Sequence, residues 1–577
     1  MNPTEQTILD DLNLDEPWTL IERFSAFPRE RPDDVNAAMD MVAERLRDFG
    51  VPHKLYEPEL YLSLPGAASV KLGNRRLRAK PSSFSLSLPE GLKAPLLHVP
   101  AQAASGQRSV SEMGVDAAGL TADTVAGRIV LTEGFALPGI ITPLAELGAA
   151  AVVAINPGVD IHWGTCTTIW GAPGLDDLPR KPRIPVVAVN RPDGDLLVEA
   201  AAQGKAAKVT CELEENWFRQ KVLVADIAGA IEPESFALLH GHLDSWDVGV
   251  GDNATGDACM LELARVLWRH RDALRRSVKI AWWPGHSTGR YAGSTWFADA
   301  FATELDRHCV AQVDCDSPGC RWATEYTKLS CMAEARSLVT EVIQQVADRT
   351  PECVRPPRAG DYAFNNIGLS SFYMLSSKMP DDLRAEKGYY PVGGCGGNIG
   401  WHTENDTLEI ADRDILMTDM KVYLLSVLRV AMGERLPFDW RLAVDDLAQT
   451  VDRYQASAGD RLDLKPAREA VDTLADQLAR FYRAANNGNL EADETNTVIR
   501  RLSRILVPLD YTRGPRFDHD PALAVPPLPI LSLASDLDNL DDDQRKFALA
   551  QLVRGRNRVV ATLDEATGIV ADVLRPS

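Results

Sequence analysis

The stretch from His240 to Gly256 reads His-Gly-His-Leu-Asp-Ser-Trp-Asp-Val-Gly-Val-Gly-Asp-Asn-Ala-Thr-Gly, with two histidines, three aspartates and neither lysine nor arginine. His242 and Asp252 offer an imidazole nitrogen and a carboxylate oxygen, donors that suit a divalent transition metal. Asp244, two residues after His242, is spaced to orient that imidazole as an outer partner. Ligand-type residues recur after three later segments: His286 after Ser277–Trp283, Asp316 after Cys309–Val313, and His402 in the Gly-rich loop Val392–Asp406. Together His242, Asp252, His286, Asp316 and His402 make an N/O set. Such a set fits zinc first, and also manganese, iron or cobalt, as one ion or two. His53, His98, His270, His308 and His519 stand outside these clusters and read as structural.

The elements around these residues explain why they could meet. Phe236-Ala-Leu-Leu239 reads as a strand entering the first cluster, and Met260, Leu263, Ala264 and Leu267 mark a helix leaving it. A strand-to-helix turn of this kind lies at the C-terminal edge of a sheet, where α/β proteins bind ligands. Further strands at Lys221–Gly229, Ser277–Trp283, Cys309–Val313 and Ser370–Leu375 alternate with helices, the pattern of an α/β sandwich. An amphipathic helix at Val35–Gly50 belongs to an opening segment, 1–94. Residues 95–215 differ: short strands at Gly127–Thr132, Ala149–Ile155 and Arg183–Val189 predict a β-rich insert. His162 and Trp163 lie in its segment Gly158–Gly164 and could reach the site, although the segment reads first as a plain exposed loop. The α/β domain resumes over 216–438. Helical stripes over 439–577 suggest a docking or dimerisation unit.

Composition narrows the partners. The 577 residues carry 61 basic and 82 acidic side chains, a net charge of −21, which argues against nucleic acid or an anionic membrane. The partner expected is a small or peptide-like substrate. No basic-then-apolar leader opens the sequence and no window reaches the length of a membrane span. Nine cysteines without CxxC pairs point to a reduced, cytoplasmic protein, with Cys315 and Cys320 as buried thiols.

The motifs resemble a known family. Gly241-His-Leu-Asp-Ser-Trp-Asp-Val-Gly and Gly251-Asp-Asn-Ala-Thr-Gly-Asp are similar to the "G-H-x-D-S-W … G-x-x-D-N-a-S-G" signature of co-catalytic zinc peptidases. These include bacterial aminopeptidases, glutamate carboxypeptidase and the noncatalytic transferrin receptor. Val313-Asp-Cys-Asp-Ser-Pro-Gly319, Gly360-Asp-Tyr-Ala-Phe364 and Trp401-His-Thr-Glu-Asn-Asp-Thr407 resemble three further family elements. The segment 95–215 resembles a protease-associated domain. Thr497–Leu509 with Tyr511–His519 looks like the dimerisation domain of the glutamate carboxypeptidase branch, which implies a homodimer. The fold implied is α/β, a mixed-sheet zinc-peptidase-like domain with a β-rich insert and a C-terminal helical domain. The resemblance implies that His242 holds one ion, that Asp316 and His402 hold the other, that Asp252 bridges them and that Asp244 orients His242.

One element departs from the family. Where the pattern has adjacent glutamates, a general base and a ligand, this chain reads Trp282-Trp-Pro-Gly-His-Ser-Thr-Gly-Arg-Tyr-Ala-Gly-Ser294. Counting from the strand sets Gly285 at the base and His286 at the ligand; counting from Gly293-Ser294 sets Ser287 and Thr288 there. The first is preferred because histidine is the better ligand. Either way the base is gone, a loss worth roughly 10²–10⁴ in rate. Asp247, Glu404 or His286 could take over. Three readings stay open: a metal-dependent hydrolase with a different base, a metal-dependent lyase, and a noncatalytic binding protein. The arginine pair of glutamate carboxypeptidases has no counterpart in Ser371–Lys378, so a C-terminal glutamate substrate is not indicated. Arg290, Tyr291, Tyr389 and Tyr390 are the candidates to hold substrate or stabilise an oxyanion. The 392–400 loop lacks GxxxxGK and is no phosphate loop.

Overall fold

The computed structural model describes residues 1–100, 120–373 and 376–575. Its centre is a six-stranded mixed sheet in the order His53–Tyr56, Val222–Ile227, Arg276–Trp283, Glu232–His242, Cys309–Asp314, Ser371–Phe372. Glu232–His242 runs parallel to both its neighbours, and the Val222–Ile227 side is antiparallel. Parallel strands must be covered on both faces, and the side chains alternate accordingly. Ala237, Leu239, Val278 and Ile280 join one core with the helices Thr255–Arg269 and Arg413–Met432. Phe236, Leu238, Ala281 and Trp283 face a second core with Phe297 and Phe364. The α/β architecture expected from the apolar runs is therefore present. Met374 and Leu375, the end of the last predicted strand, lie outside the described residues.

The inserted part is a closed seven-stranded barrel, built from strands between Glu59 and Arg219. It opens and closes on one antiparallel pair, with Glu59 opposite Arg219. The excursion thus begins well before the expected boundary at residue 95. The strands Glu59–Leu72, Arg75–Pro81 and most of Leu88–Val99 fall within the opening segment 1–94 but pair with the barrel. Their sequence hid this, because Arg75-Arg-Leu-Arg-Ala-Lys-Pro81 alternates charge and apolar groups without a run of β-branched residues. Part of the insert, 101–119, lies outside the described residues.

After Met432 the chain is helical: Trp440–Ala458, Lys465–Asn486, Ala492–Tyr511 and Asp542–Val573. Asp439 caps the first, and Asp541 with Gln544 forms a capping box on the last. Their apolar stripes are spent inside the molecule: Trp440, Phe481, Leu502 and Leu563 belong to the same continuous core as Leu239.

Candidate metal centre

The parallel strands end side by side, and three of the five ligand-type residues are delivered directly from their C-terminal edge. His242 closes its strand, His286 follows Trp283 by a three-residue step, and Asp316 follows Asp314. Asp252 sits in the turn before Thr255–Arg269, and His402 in the loop before Arg413–Met432. His242 Nε2 lies 2.9 Å from Asp252 Oδ1 and 3.8 Å from Asp316 Oδ2. His402 Nε2 lies 3.1 Å from the other oxygen of Asp252. The ligand atoms of His242, His286 and Asp316 all fall within 4.8 Å of one another. Asp316 therefore groups with His242, a correction to its expected pairing with His402. Asp252 stands between two histidines, one oxygen toward each, as a bridging carboxylate must.

The donor geometry fits a cation. His242 Nδ1 is 2.8 Å from the Asp244 carbonyl and His402 Nδ1 is 3.1 Å from the Trp163 carbonyl. A carbonyl only accepts, so Nδ1 carries the proton in each ring and the neutral tautomer has its lone pair on Nε2. Those lone pairs face the oxygens of one carboxylate. His242 Nε2 and Asp252 Oδ1 are both buried without a hydrogen-bond partner among the described residues. Lone pair against lone pair is repulsive unless a proton or cation lies between them. Burial depresses the proton affinity of His242, but Asp252, Asp316 and Asp244 outweigh it and hold its pKa well above the usual imidazole range. The same crowding pushes the Asp316 carboxyl up to about 6, chiefly by burial and then by the charge of Asp252. A site so rich in carboxylate suits a divalent ion.

Each ligand is held from behind. His286 Nδ1 lies 2.8 Å from Asp361 Oδ2, and Asp361 also accepts from the Ser294 hydroxyl at 2.6 Å. The His286 ring stacks on His242 with centroids 3.8 Å apart. His286 is thus the residue brought to the ligand cluster, and the registration counted from the strand is the one the fold realises. Asp244 plays a different part from the one expected. Its main-chain carbonyl, not its carboxylate, orients His242; the carboxylate accepts from the main-chain N–H groups of His286 and Ser287 at 3.0 and 3.1 Å. Asp406 accepts from Gly251 N–H and Asp252 N–H at 2.6 and 3.0 Å, shaping the turn that carries Asp252. Burial pushes the Asp406 carboxyl up to about 7. Arg29, fully buried, donates to the carbonyls of Leu243, Val248 and Gly249 and so grips the same loop.

Two of the three candidate bases are engaged elsewhere. Asp247 Oδ2 accepts from Trp163 Nε1–H at 2.9 Å. Glu404 binds Lys80 Nζ at 2.9 Å and also pairs with Arg78. Burial opposes ionisation of Glu404, but its hydrogen bonds and these cations keep its carboxyl below the usual range. Among the substrate candidates, Tyr291 is buried with its ring edge-on to His286 at 4.9 Å. Arg290 lies over Tyr291, its buried Nε without a hydrogen-bond partner among the described residues. Tyr390 donates instead to His162, and Tyr389 packs near Trp322. The His162–Trp163 segment is no exposed loop, since His162 is 2% exposed and wedged against Trp401 and Tyr390. Asp361, Asp406 and Arg29 have no role in the sequence reading, and Trp163 figures there only as a residue within reach of the site. Asp361 and Asp406 fall inside quoted motifs, which was the available signal; Arg29 and the Trp163 carbonyl gave none.

The mixed α/β sheet thus brings three histidines and two aspartates together beyond its strand ends, a donor set suited to a metal-dependent hydrolase. Residues 223–424, the segment that carries all five ligand-type residues, match the model of Peptidase family M28. The chain is 36% identical over 98 residues to aminopeptidase NAALADL1 of Mus musculus, covering 16% of this chain and 12% of that protein. It is 26% identical over 172 residues to carboxypeptidase Q of Xenopus laevis, covering 28% and 35%. The matches thus span well under two thirds of these relatives. Among solved structures, a zinc aminopeptidase from Bacillus subtilis shares the fold, with TM-score 0.54, 18% identity, 73% of this chain and 96% of that chain covered.

Proposed function

We propose that this protein is a metal-dependent hydrolase that cleaves an amide bond in a small or peptide-like substrate. The observation that carries the reading is Asp252, whose two oxygens face the Nε2 atoms of His242 and His402. His242, Asp252, His286, Asp316 and His402 would hold the ion or ions, with zinc the first choice for this mixture of imidazole and carboxylate. When bound, such an ion supplies Lewis-acid polarisation of the scissile carbonyl and acidification of water. The chain's own residues prepare the site: Asp244, Asp361 and the Trp163 carbonyl hold the three imidazoles with Nε2 free. Arg290 and Tyr291 border His286, where a substrate carboxylate or developing oxyanion would meet a cation.

Proton transfer is where this chain differs from a standard peptidase. Gly285 carries no side chain, and Asp247 and Glu404 are committed to Trp163 and Lys80. Of the expected substitutes for the base, only His286 reaches the ligand cluster. Turnover on ordinary peptides should accordingly be slow, by up to roughly 10²–10⁴.

Elemental analysis of the purified protein, together with assays on aminoacyl amides, dipeptides and N-acyl amino acids, tests the proposal. One or two bound transition-metal ions and hydrolysis abolished by His242→Ala are expected. A protein that takes up no such ion would overturn it, and an unsaturated product in place of a hydrolytic one would favour the lyase reading. A homodimer is part of the proposal and rests on the C-terminal resemblance; a monomer by light scattering at micromolar concentration would remove it. A cytoplasmic location is supported by nine free thiols.

A further inference from the structure

We infer that the inserted barrel is a working part of the metal centre: Trp163 is a positioning residue that fixes His402, so barrel docking and metal binding are coupled. This rests on reading the cluster as a metal centre. Two of the three histidines are anchored within the α/β domain, His242 on the Asp244 carbonyl and His286 on the Asp361 carboxylate. His402 is anchored across the boundary. Its Nδ1–H donates to the Trp163 carbonyl at 3.1 Å, while Trp163 N–H donates to the His402 carbonyl at 2.9 Å. His402 has φ +58, a backbone conformation that a non-glycine residue holds only when its surroundings impose it.

The barrel grips the neighbours of His402 as well. His162 Nδ1–H donates to the Trp401 carbonyl at 2.7 Å, and its Nε2 accepts from the Tyr390 hydroxyl at 2.8 Å. Lys80, 3% exposed, binds Glu404. Trp163 is itself locked: its ring stacks on Trp246 at 5.3 Å, its Nε1–H donates to Asp247, and Lys80 Nζ sits 4.4 Å over its ring. The His162 and Lys80 side chains and the Trp163 main chain thus hold residues 401, 402 and 404 as a unit, and the carbonyl behind His402 comes from the middle of that clasp. Outer partners of this kind change metal affinity by about 10–100-fold when lost. Linkage makes the effect reciprocal: an ion that needs His402 in place must also tighten the barrel.

The full-length protein is stripped with chelator and retitrated with zinc by chelator competition, as wild type, Trp163→Ala and Trp163→Phe. Trp163→Ala, which keeps the main-chain carbonyl but removes the ring that fixes it, should weaken zinc binding by about 10–100-fold. Trp163→Phe, which keeps the ring stacking and the backbone position, should restore most of the loss. In the cobalt-loaded protein, the shifted exchangeable N–H resonance of one histidine should move in Trp163→Ala while the other two stay. Hydrogen exchange on the wild type needs no variant and should show the Trp163 amide exchanging at least about tenfold faster when metal is removed. Equal zinc affinity in a folded Trp163→Ala, or metal-independent exchange at Trp163, would overturn the coupling while leaving the metal centre intact. Failure of the wild type to bind any ion would overturn both.

Discussion

At the scale of single residues, the departure at Gly285 is structural as well as chemical. Gly285 has φ +70, and a Cβ there would lie 2.9 Å from Leu62 Cδ2 of the barrel and 3.3 Å from Ala292 Cβ. The loop has been rebuilt around a missing side chain, so restoring a glutamate does not restore the base. Gly285→Glu should lower stability by about 1–3 kcal/mol, the cost of a side chain in the left-handed region, with no gain in peptide hydrolysis. Thermal melting and a peptidase assay on the same preparation check this; faster turnover at unchanged melting temperature would contradict it. The ligand-type residues were legible from residue type, because an imidazole and carboxylate set after apolar strands offers the donors a divalent metal takes. How they divide was not, since the pairing of Asp316 with His242 depends on which strand ends are neighbours.

At the scale of elements, buried charge joins the pieces. Arg29, in the segment before Pro32–Asp48, satisfies three carbonyls of the loop between His242 and Asp252. It also lowers the charge cost of Asp257, whose carboxyl is pushed up to about 8 by burial despite that cation. Arg29→Met should therefore cost about 3–5 kcal/mol in urea denaturation, as loss of one partner of a buried charged network does. A change under 1 kcal/mol would show that water satisfies these carbonyls instead. Glu334 sits where the sheet domain meets the first C-terminal helix, its main-chain carbonyl accepting from Asp439 N–H at 2.8 Å. Burial pushes its carboxyl up to about 7. The folded chain then binds this proton more tightly than the unfolded chain, whose glutamate titrates near about 4.3. The resulting stability is complete below about 4.3 and is lost as pH rises through about 7. Glu334→Gln should remove that decline, so the stability difference between variant and wild type grows in favour of the variant across this window. Parallel denaturation curves at pH 4.5, 6 and 8 measure it, and a pH-independent difference would refute the assignment.

At the scale of the whole molecule, the sheet, barrel and helices meet around one cluster, and metal should stabilise all three together. Binding at a free concentration of 100 Kd adds about 2.7 kcal/mol to the folded state. Chelation should lower the main melting transition and zinc should raise it again; an unchanged transition would mean that the cluster holds no ion. No helix of the described residues is long and apolar enough to cross a membrane.

The sequence by itself carried the α/β class, the strand that leads to His242, the later strands and the five ligand-type residues. These are local properties: apolar runs of strand length, helical periodicity, and donor atoms placed at strand ends. It also showed that the base was missing, because a glycine cannot accept a proton. The fold alone revealed where the barrel begins, since pairing of Glu59 with Arg219 joins residues far apart in the chain. It alone revealed that Asp247 and Glu404 are already paired, and that the ligand His402 leans on Trp163. The last three are contacts between a barrel residue and a domain residue, and no local pattern encodes a hydrogen bond to a main-chain carbonyl 239 positions away.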